Sequence, residues 1–566
     1  MTTLLKNAKI INVFTESVDE TNILIKDDKI IGVGGYYSEE DADVTRDLGG
    51  KYVCPGFVDG HIHIESTMML PYGLAKACLP HGTTTVITDP HEIANVCGTD
   101  GIKYMLEMSE GLPLSVYVML PSCVPATPFD ESGAELFAED LKDLYSHERV
   151  LGLAEMMNYP GVLYEDKATV DKIKDCTKRG GIVDGHAPFL NGKDLDKYVA
   201  EGISSDHECS TFEEAKEKLS KGQWIMIREG SAAKNLDALS PLLDAPYSQR
   251  VLLVTDDRNP ADIISEGHID NIVRRGIALK KDPVKVIKAA SFNAACRFGL
   301  KNLGAIAPGY IADLLVFDDI NDIKVKDVYK NGALVVENNV LKEFSKPEAK
   351  EELKRKVRNS FHLDMLSKED FYIKPMGKKC RVIKVIEGQI LTEGPVEEIN
   401  FENNNGVDIT RDLCKLAVIE RHKNTGHKGI GFITGTGLKK GALAASVSHD
   451  SHNLIVIGTN DEDMSFAANS IREMGGGLVC VNDGKVLAKV ELPIAGLMSD
   501  ESAEKIAEDN RVLREKVKEL GINEKIEPFM NMAFVSLPVI PALKMSVTGL
   551  VDVDKFEKTD LFVNED

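Results

Sequence analysis

Two histidines follow a short apolar segment near the start of the chain, in the sequence Pro55-Gly56-Phe57-Val58-Asp59-Gly60-His61-Ile62-His63. If this segment is a β-strand, His61 and His63 point to the same side, roughly 7 Å apart. Two imidazoles on one side of a rigid strand end can form half of a metal site. The alternative is a polar strand end with two solvated histidines. Residues elsewhere in the chain distinguish the two interpretations.

Residues 54–300 alternate apolar, strand-like segments with longer helix-like segments. The predicted strands are 56–58, 84–88, 115–120, 150–154, 181–184, 202–205, 224–227 and 251–254. Eight β/α units over about 250 residues are typical of a (β/α)8 barrel of the TIM type, and a doubly wound sheet is the alternative. In such a barrel the carboxyl ends of the strands face the active site.

Most of these predicted strands are followed by side chains that can bind metal or transfer protons. In chain order they are His61 and His63, Asp89 and Glu92, Glu155, His186, His207, Arg228 and Ser231, and Asp256. Any one of them alone has an ordinary explanation as a helix cap, a loop residue or a structural histidine. The order His-x-His, Glu, His, His, Asp provides nitrogen and oxygen ligands without a thiolate. This set suits two divalent ions that share a bridging carboxylate and a bridging hydroxide.

The composition is that of a soluble globular protein, with 43% hydrophobic and 28% charged residues in a chain of 566. The net charge of −23, from 67 basic and 90 acidic residues, argues against nucleic acid as a partner. The 10 cysteines include no Cys-x-x-Cys pair, which excludes a zinc ribbon and indicates reduced thiols. A signal peptide and a long apolar segment are also missing, so we expect a cytoplasmic protein that does not enter a membrane.

Short strand-like segments lie on both sides of the predicted barrel at 54–300. Residues 1–53 and 301–345 are expected to form one small β-sandwich domain, because so little β-structure is not stable alone. The charged, helix-prone residues 346–379 are predicted to be a linker. Residues 380–566 begin with a strand and contain an amphipathic helix at about 502–520, which predicts an additional C-terminal α+β domain.

The predicted C-terminal domain contains a group of histidines, His422, His427, His449 and His452. They are either ordinary polar residues of a surface or core, or part of a functional feature. The functional alternatives are a lid over the barrel mouth and a distal contact with a metal or a substrate.

The segment that ends in His61-Ile62-His63 resembles the opening motif of the amidohydrolase superfamily. Its continuation Ile64-Glu65-Ser66-Thr67-Met68, together with Thr88-Asp89-Pro90-His91-Glu92-Ile93-Ala94-Asn95-Val96, is similar to the bacterial adenine deaminase family. The resemblance runs nearly end to end and includes residues 380–566, which most other amidohydrolases lack. It implies hydrolytic deamination of adenine to hypoxanthine and ammonia, a purine salvage reaction. It also implies two divalent ions, manganese or iron with zinc as a further possibility, and a homodimer or larger homo-oligomer.

The resemblance gives each metal ligand a role. His61 and His63 would hold the more buried ion, His186 and His207 would hold the second, and Glu155 would bridge the two. Glu155 stands where hydantoinases and dihydroorotases have a carboxylated lysine, which counts against those relatives.

The remaining roles concern protons and substrate. Asp256 would bind metal, accept the proton of the attacking water and pass it to the departing nitrogen. Asp89, Glu92, Arg228 and Ser231 would contact the purine, and an acid among them would stabilise charge on the ring. The sequence does not decide whether Asp89 or Glu92 is the donor.

Three other functions compete with this interpretation. A related amidohydrolase could act on another purine, a cyclic amide or an acyl-sugar, against which stand Asp89, Glu92 and the long C-terminal block. A non-enzymatic scaffold is the second alternative, although every candidate ligand is present. His63-Ile64-Glu65 also matches the His-x-Glu of cytidine-type zinc deaminases, but no downstream Pro-Cys-x-x-Cys follows.

Overall fold

The computed structural model describes residues 1–231, 233–387, 389–402 and 404–563. The chain separates into two compact units. The first contains Met1–Asp89, Met105–Ser122 and Leu141–Glu348, and the second contains Pro90–Tyr104, Cys123–Asp140 and the chain from Ala349 onward. Residues 388, 403 and 564–566 of the predicted C-terminal domain lie outside the described residues.

The described residues of the first unit form seventeen strands, numbered here in chain order. They are β1 (Thr2–Asn12), β2 (Ser17–Lys26), β3 (Lys29–Val33), β4 (Val44–Asp47), β5 (Tyr52–Pro55), β6 (Phe57–Ile62), β7 (Thr83–Thr88), β8 (Ser115–Leu120), β9 (Val150–Met156), β10 (Ile182–Gly185), β11 (Ser205–Asp206), β12 (Trp224–Arg228), β13 (Val251–Val254), β14 (Leu314–Phe317), β15 (Asp327–Lys330), β16 (Ala333–Glu337) and β17 (Val340–Leu341).

Strands β6–β13 build the barrel. β6 to β10 pair in parallel and in sequence order, as do β11 to β13. Two junctions join these sheets: the amide of Ser204 donates to the Val183 carbonyl at 3.1 Å, and Ile62 forms a parallel bridge with Asp256. The predicted (β/α)8 barrel is confirmed. The sixth strand is shorter than expected and begins later, because Gly202 turns the chain with φ +102°.

Helices follow the barrel strands as the pattern predicts. They are α1 (Pro71–Cys78), α2 (His91–Met108), α3 (Ala138–Leu141), α4 (Tyr159–Leu163), α5 (Lys167–Lys178), α6 (Gly192–Ala200), α7 (Phe212–Ser220), α8 (Leu236–Leu239), α9 (Pro260–Glu266), α10 (Ile269–Ala278), α11 (Pro283–Ala289) and α12 (Phe292–Arg297). α10 shows the apolar pattern that favours a helix packed on one face. Its buried stripe at helical spacing consists of Ile269, Ile272, Val273 and Ile277. α2 is interrupted at Gly98, which has φ +60°, and its first part up to Tyr104 belongs to the second unit.

Strands from both flanks of the barrel share one sheet, in the order β17-β16-β15-β14-β5-β1-β2-β3, with β4 also on β1. The connection between the flanks is antiparallel, with Leu314 opposite Pro55 and Phe317 opposite Tyr52. β5 leads directly into β6, so this sheet anchors the strand that carries the first two histidines. The limits of a separate small domain remain a prediction.

The second unit contains β18 (Lys379–Val385), β19 (Thr392–Glu393), β20 (Val396–Glu398), β21 (Cys414–Ile419), β22 (Lys428–Thr434), β23 (Ala442–Ala445), β24 (Leu454–Gly458), β25 (Gly477–Asn482), β26 (Lys485–Glu491), β27 (Leu543–Ser546), β28 (Gly549–Asp552) and β29 (Glu557–Thr559). Its helices are α13 (Glu351–Arg358), α14 (Asp461–Met474), α15 (Ala503–Glu519) and α16 (Pro528–Val535). A sheet in the order β19-β18-β22-β21-β24-β23-β25-β26 packs on α14 through Ala444, Val456 and Ala467. This is the additional α+β sheet domain that the sequence predicts, and α13 lies within the predicted linker. No helix in the described parts of the chain is both long and apolar enough to cross a membrane.

The buried Lys544 on β27 predicts a pH dependence of stability. Its Nζ donates to the Ile390 carbonyl at 3.1 Å, and burial lowers its pKa from 10.5 to about 7. Between these two pH values the unfolded chain binds more protons, so this group makes stability rise with pH by up to about 1.4 kcal/mol per unit. We expect Lys544→Met to raise the midpoint of thermal unfolding most at pH 7 and progressively less towards pH 9. Exposed Lys525→Met is the control, and a pH-independent gain for Lys544→Met contradicts the prediction.

Candidate metal centre and active site

His61 and His63 lie at the carboxyl end of β6, both almost fully buried. Their ring centroids are 4.8 Å apart. His63 Nδ1 lies 3.1 Å from the Asp89 carbonyl oxygen, which can only accept, so Nδ1 donates and Nε2 faces the neighbouring carboxylates. A backbone acceptor of this kind fixes the orientation of an imidazole that binds metal through its other nitrogen.

Glu155, at the end of β9, lies between two groups of histidines. Its Oε1 is 3.3 Å from His63 Nε2. Its Oε2 is 2.8 Å from His186 Nδ1 and 3.1 Å from His207 Nε2. One carboxylate therefore presents an oxygen to each side, which is the arrangement that a bridging ligand requires.

Asp256, which follows β13, lies beside His61 and His63. Its Oδ1 lies 3.3 Å from His63 Nε2 and 3.7 Å from His61 Nε2, and its Oδ2 accepts from Arg228 Nη1 at 2.5 Å. The backbone of Asp256 is left-handed, with φ 59°, and its amide donates to the His61 carbonyl at 2.9 Å. Such a conformation costs about 1–3 kcal/mol outside glycine and persists where the surrounding structure enforces it.

The donor set fits divalent cations. His61 Nε2 is buried and has no hydrogen-bond partner among the described residues. Burial lowers the pKa of His61 to about 3, with a further contribution from His207 and His63, so the ring is neutral and offers a lone pair. The ligand atoms of His61, His63 and Asp256 lie within 4.8 Å of one another, as do those of His61, Glu155 and His207.

The two carboxylates are held ionised. Burial opposes the charge of Glu155, but hydrogen bonds from His186, His207 and His63 bring its pKa well below the usual range. Burial likewise opposes ionisation of Asp256, and Arg228 with the neighbouring histidines lowers its pKa. Both groups thus have the charge that a metal ligand needs.

Glu208 is part of the site although the sequence pattern did not indicate it. Its Oε1 lies 3.5 Å from His186 Nδ1, 3.4 Å from His207 Nε2 and 2.5 Å from Arg228 Nη1. Burial opposes ionisation, but Arg228 and His186 lower the pKa of Glu208 well below its usual range. The only available signal was its position next to His207, and that signal is weak.

The buried carboxylate of Asp59, within β6, binds the backbone near His61 and the residue that follows β13. Asp59 accepts from the Thr255 hydroxyl at 2.5 Å, the Thr255 amide at 3.1 Å and the His61 amide at 3.3 Å. His268 Nε2 lies 3.4 Å from the same carboxylate. Burial raises the pKa of Asp59 to about 7. Asp59 thereby joins the ends of β6 and β13, which carry His61 and Asp256.

The predicted purine contacts have different surroundings. Asp89 is buried and supplies its carbonyl to His63. Arg228 binds Asp256 and Glu208, and the Ser231 hydroxyl donates to Asp262 at 2.6 Å while accepting from the Asn259 amide at 2.8 Å. Glu92 belongs to the second unit, where His449 and His452 contact its carboxylate. A role in purine binding stays a prediction for all four.

Comparisons with known proteins identify the family of the chain. Residues 52–335 match the amidohydrolase family model, and residues 389–557 match the adenine deaminase C-terminal domain. The barrel and its His/Glu/Asp centre therefore define an amidohydrolase, a class of metal-dependent hydrolases.

Similarity over the full chain identifies one family within the amidohydrolases. It is 46% identical over 98% of its length to adenine deaminase 2 of Carboxydothermus hydrogenoformans, covering 95% of that protein. It is also 46% identical over 98% to an adenine deaminase of Clostridium acetobutylicum, covering 96%, and 44% identical over 99% to one of Desulfatibacillum aliphaticivorans, covering 97%. The chain belongs to the adenine deaminase family.

Removal of the bridging charge is expected to empty the centre. Glu155→Gln keeps the shape but cannot attract two cations, so we expect the barrel centre to hold well below one ion instead of the two ions predicted for it. Elemental analysis by plasma mass spectrometry measures this content. Glu165→Gln changes an exposed carboxylate and is the matched control. Full metal content in Glu155→Gln contradicts the bridging role.

Substitution of Arg228 distinguishes two roles for this residue, which are positioning Asp256 and binding the purine. Because its guanidinium holds Asp256 Oδ2 at 2.5 Å, we expect Arg228→Met to lower kcat at least tenfold with little change in KM. A tenfold lower kcat corresponds to about 1.4 kcal/mol of barrier. A raised KM with unchanged kcat would instead support the predicted purine contact.

Proposed function

We propose that this protein catalyses the hydrolytic deamination of adenine, giving hypoxanthine and ammonia in purine salvage. The observation that carries the proposal is the similarity to adenine deaminases over nearly the whole chain, including the C-terminal domain that characterises them. The His/Glu/Asp centre in the barrel supports it, because the predicted ligands form overlapping groups, such as His61, His63 and Asp256, whose ligand atoms lie within 4.8 Å of one another.

The proposed cofactor is a pair of divalent ions, manganese or iron in preference to zinc. The residues that would hold them are His61, His63, Glu155, His186, His207 and Asp256. When bound, such ions act as Lewis acids and acidify water enough to provide hydroxide near neutral pH. Nitrogen and carboxylate ligands without thiolates suit all three metals, and the preference for manganese or iron rests on the resemblance to the adenine deaminase family.

Asp256 is the proposed proton carrier. Arg228 occupies its Oδ2, so Oδ1, which faces His63 and His61, is the oxygen available for proton transfer. It accepts a proton from the attacking water while a bond forms between the water oxygen and C6 of adenine. It then returns the proton to the exocyclic nitrogen as the C6–N bond breaks, so that adenine and water give hypoxanthine and ammonia.

Asp89 is the proposed donor to the purine ring. Of the two predicted acids, Glu92 is held ionised: burial opposes its charge, but His449, His452 and His91 lower its pKa well below the usual range. Glu92 thus remains ionised and cannot donate. Asp89 is buried at the end of β7, next to His63, where a carboxyl group can stabilise charge on a ring nitrogen.

We further propose that the protein is a cytoplasmic homodimer or larger homo-oligomer, with adenine as its small-molecule substrate. The net charge of −23 supports the absence of nucleic acid from the partners.

The decisive experiment is ammonia release from adenine by enzyme that has been chelated and then reloaded with manganese, iron or zinc. We expect turnover to require added metal and to be much faster with adenine than with a cyclic amide or an acyl-sugar. Inactivity on adenine alongside turnover of one of those compounds overturns the proposal.

Asp256→Asn tests the proton carrier. We expect it to retain at least one ion per centre and to lose much more than tenfold in kcat, because an amide cannot accept the proton. Metal content and kcat are measured on the same preparation. If metal is retained and kcat falls less than about tenfold, or about 1.4 kcal/mol of barrier, Asp256 does not carry the proton.

A further inference from the structure

Glu208 faces the two histidines that are proposed to hold the second ion of the barrel centre. Its Oε1 lies 3.5 Å from His186 Nδ1 and 3.4 Å from His207 Nε2, and these two nitrogens are 3.3 Å apart. The same three atoms are therefore close in every pairwise combination. Ligand atoms bound about 2.0–2.2 Å from one ion lie about 3.3–3.6 Å from one another in tetrahedral geometry. The spacing of the three atoms is of the size that one shared divalent ion requires.

Glu155 approaches the same two imidazole nitrogens. Its Oε2 lies 2.8 Å from His186 Nδ1 and 3.1 Å from His207 Nε2, while its Oε1 lies 3.3 Å from His63 Nε2. A carboxylate oxygen of Glu155 and one of Glu208 therefore both lie near the two nitrogens. The two carboxylates differ because only Glu155 also reaches a histidine of the first ion. Glu155 has the position of a shared ligand, and Glu208 has the position of a terminal one.

The backbone around Glu208 is fixed by a buried carboxylate that serves two loops. Asp206, fully buried at the end of β11, accepts from the Glu208 amide through Oδ1 at 2.7 Å and from the Ala187 amide through Oδ2 at 2.9 Å. Lys218 Nζ lies 3.2 Å from Oδ2 and balances the charge of Asp206. Each of these two amides directly follows one of the two histidines. One carboxylate thus sets the loops that carry all three donor atoms, and a donor set held in place before it binds loses less conformational entropy.

Arg228 orients the Glu208 carboxylate without turning it away from the histidines. Its Nη2 donates to Glu208 Oε2 at 2.8 Å, and its Nη1 lies 2.5 Å from Oε1. A carboxylate oxygen has two lone pairs, so Oε1 can accept from Arg228 and still bind a cation. Hydrogen bonds of this kind orient carboxylates that bind metal. Arg228 therefore supports Glu208 in the orientation that a ligand needs.

The charge of the centre also favours a ligand at this position. The six predicted ligands include only two carboxylates, Glu155 and Asp256, against the four positive charges of two divalent ions. The guanidinium of Arg228 adds a further positive charge next to Asp256. Buried charge is unfavourable unless opposite charge compensates it, and a third carboxylate offsets part of this excess.

We propose that Glu208, through Oε1, is a further side-chain ligand of the ion that His186 and His207 hold, in addition to the shared Glu155. The inference rests on the proposed two-ion centre and adds a residue to it. This ligand holds the second ion more tightly than two imidazoles and a shared carboxylate do. Arg228 then connects a terminal carboxylate of each ion, Glu208 and Asp256, and couples the two metal positions.

Binding of Mn²⁺ to chelated full-length protein tests this assignment without a turnover measurement. Free Mn²⁺ is followed by its electron paramagnetic resonance signal, and bound ions are counted by difference. We expect about two ions per wild-type chain. In Glu208→Gln we expect an unchanged first ion and a second ion with a Kd at least about tenfold higher, or about 1.4 kcal/mol weaker binding. Glu213→Gln neutralises an exposed carboxylate on α7 and is expected to leave both affinities unchanged.

Arg228→Met distinguishes a metal ligand from a residue that acts only as the partner of the arginine. This variant removes the ion pair and leaves the Glu208 carboxylate in place. We expect it to bind the second ion as tightly as the wild type does. An equal loss of second-ion affinity in Arg228→Met and Glu208→Gln overturns the proposal, and so does wild-type affinity in Glu208→Gln.

A crystal of the wild-type protein loaded with Mn²⁺ covers the case in which Glu208→Gln does not fold. We expect the anomalous peak beside His186 and His207 to lie about 2.0–2.2 Å from Glu208 Oε1 as well. A peak at this distance from both histidines but more than about 3 Å from Glu208 overturns the ligand role. A wild type that binds a single ion overturns the two-ion centre together with this inference. Two bound ions with Glu208 as a ligand, but no turnover of adenine, overturn the proposed function alone.

Discussion

The carboxylate of Glu155 is the charge on which the rest of the barrel centre depends. It is buried among three imidazoles, with one oxygen towards His63 and the other towards His186 and His207. An ionised group in such a place is stable only while cations or donors surround it. The barrel meets this condition because β6, β9, β10, β11 and β13 all end at one face and bring their side chains there. Asp59 and Arg228 then fix the remaining members, His61 and Asp256.

Much of this arrangement could be predicted because barrel strands place their last residues at one end, whatever the loop lengths. The order and spacing of residues thus predicted the barrel strands, and predicted that the six candidate ligands follow strand ends at one face. Glu208 could not be predicted in this way. β11 ends at Asp206, so the alternation of side chains along a strand no longer applies to His207 and Glu208, and loop geometry decides where each points.

The region that follows β7 shows a second limit of sequence reasoning. Asp89 and Glu92 are three positions apart, and the sequence suggested a shared role at the purine. In the structure, Asp89 ends a barrel strand of the first unit, while Glu92 begins a helix in the second unit and is surrounded by His449 and His452. The partners of Glu92 lie more than 350 positions away, and no local pattern indicates contacts at that separation.

The pairing of β5 with β14 has a consequence for synthesis on the ribosome. β5 pairs with β1 soon after it emerges, but its other edge waits for β14, about 260 residues later, which takes on the order of 13–50 s at ordinary elongation rates. During that interval the nascent chain presents an open β-edge directly before the segment that holds His61 and His63, and open edges are templates for association. The whole barrel is therefore synthesised before the sheet that anchors its first strand can be complete. How long the edge of β5 stays open during synthesis depends on elongation and on the pairing of β14.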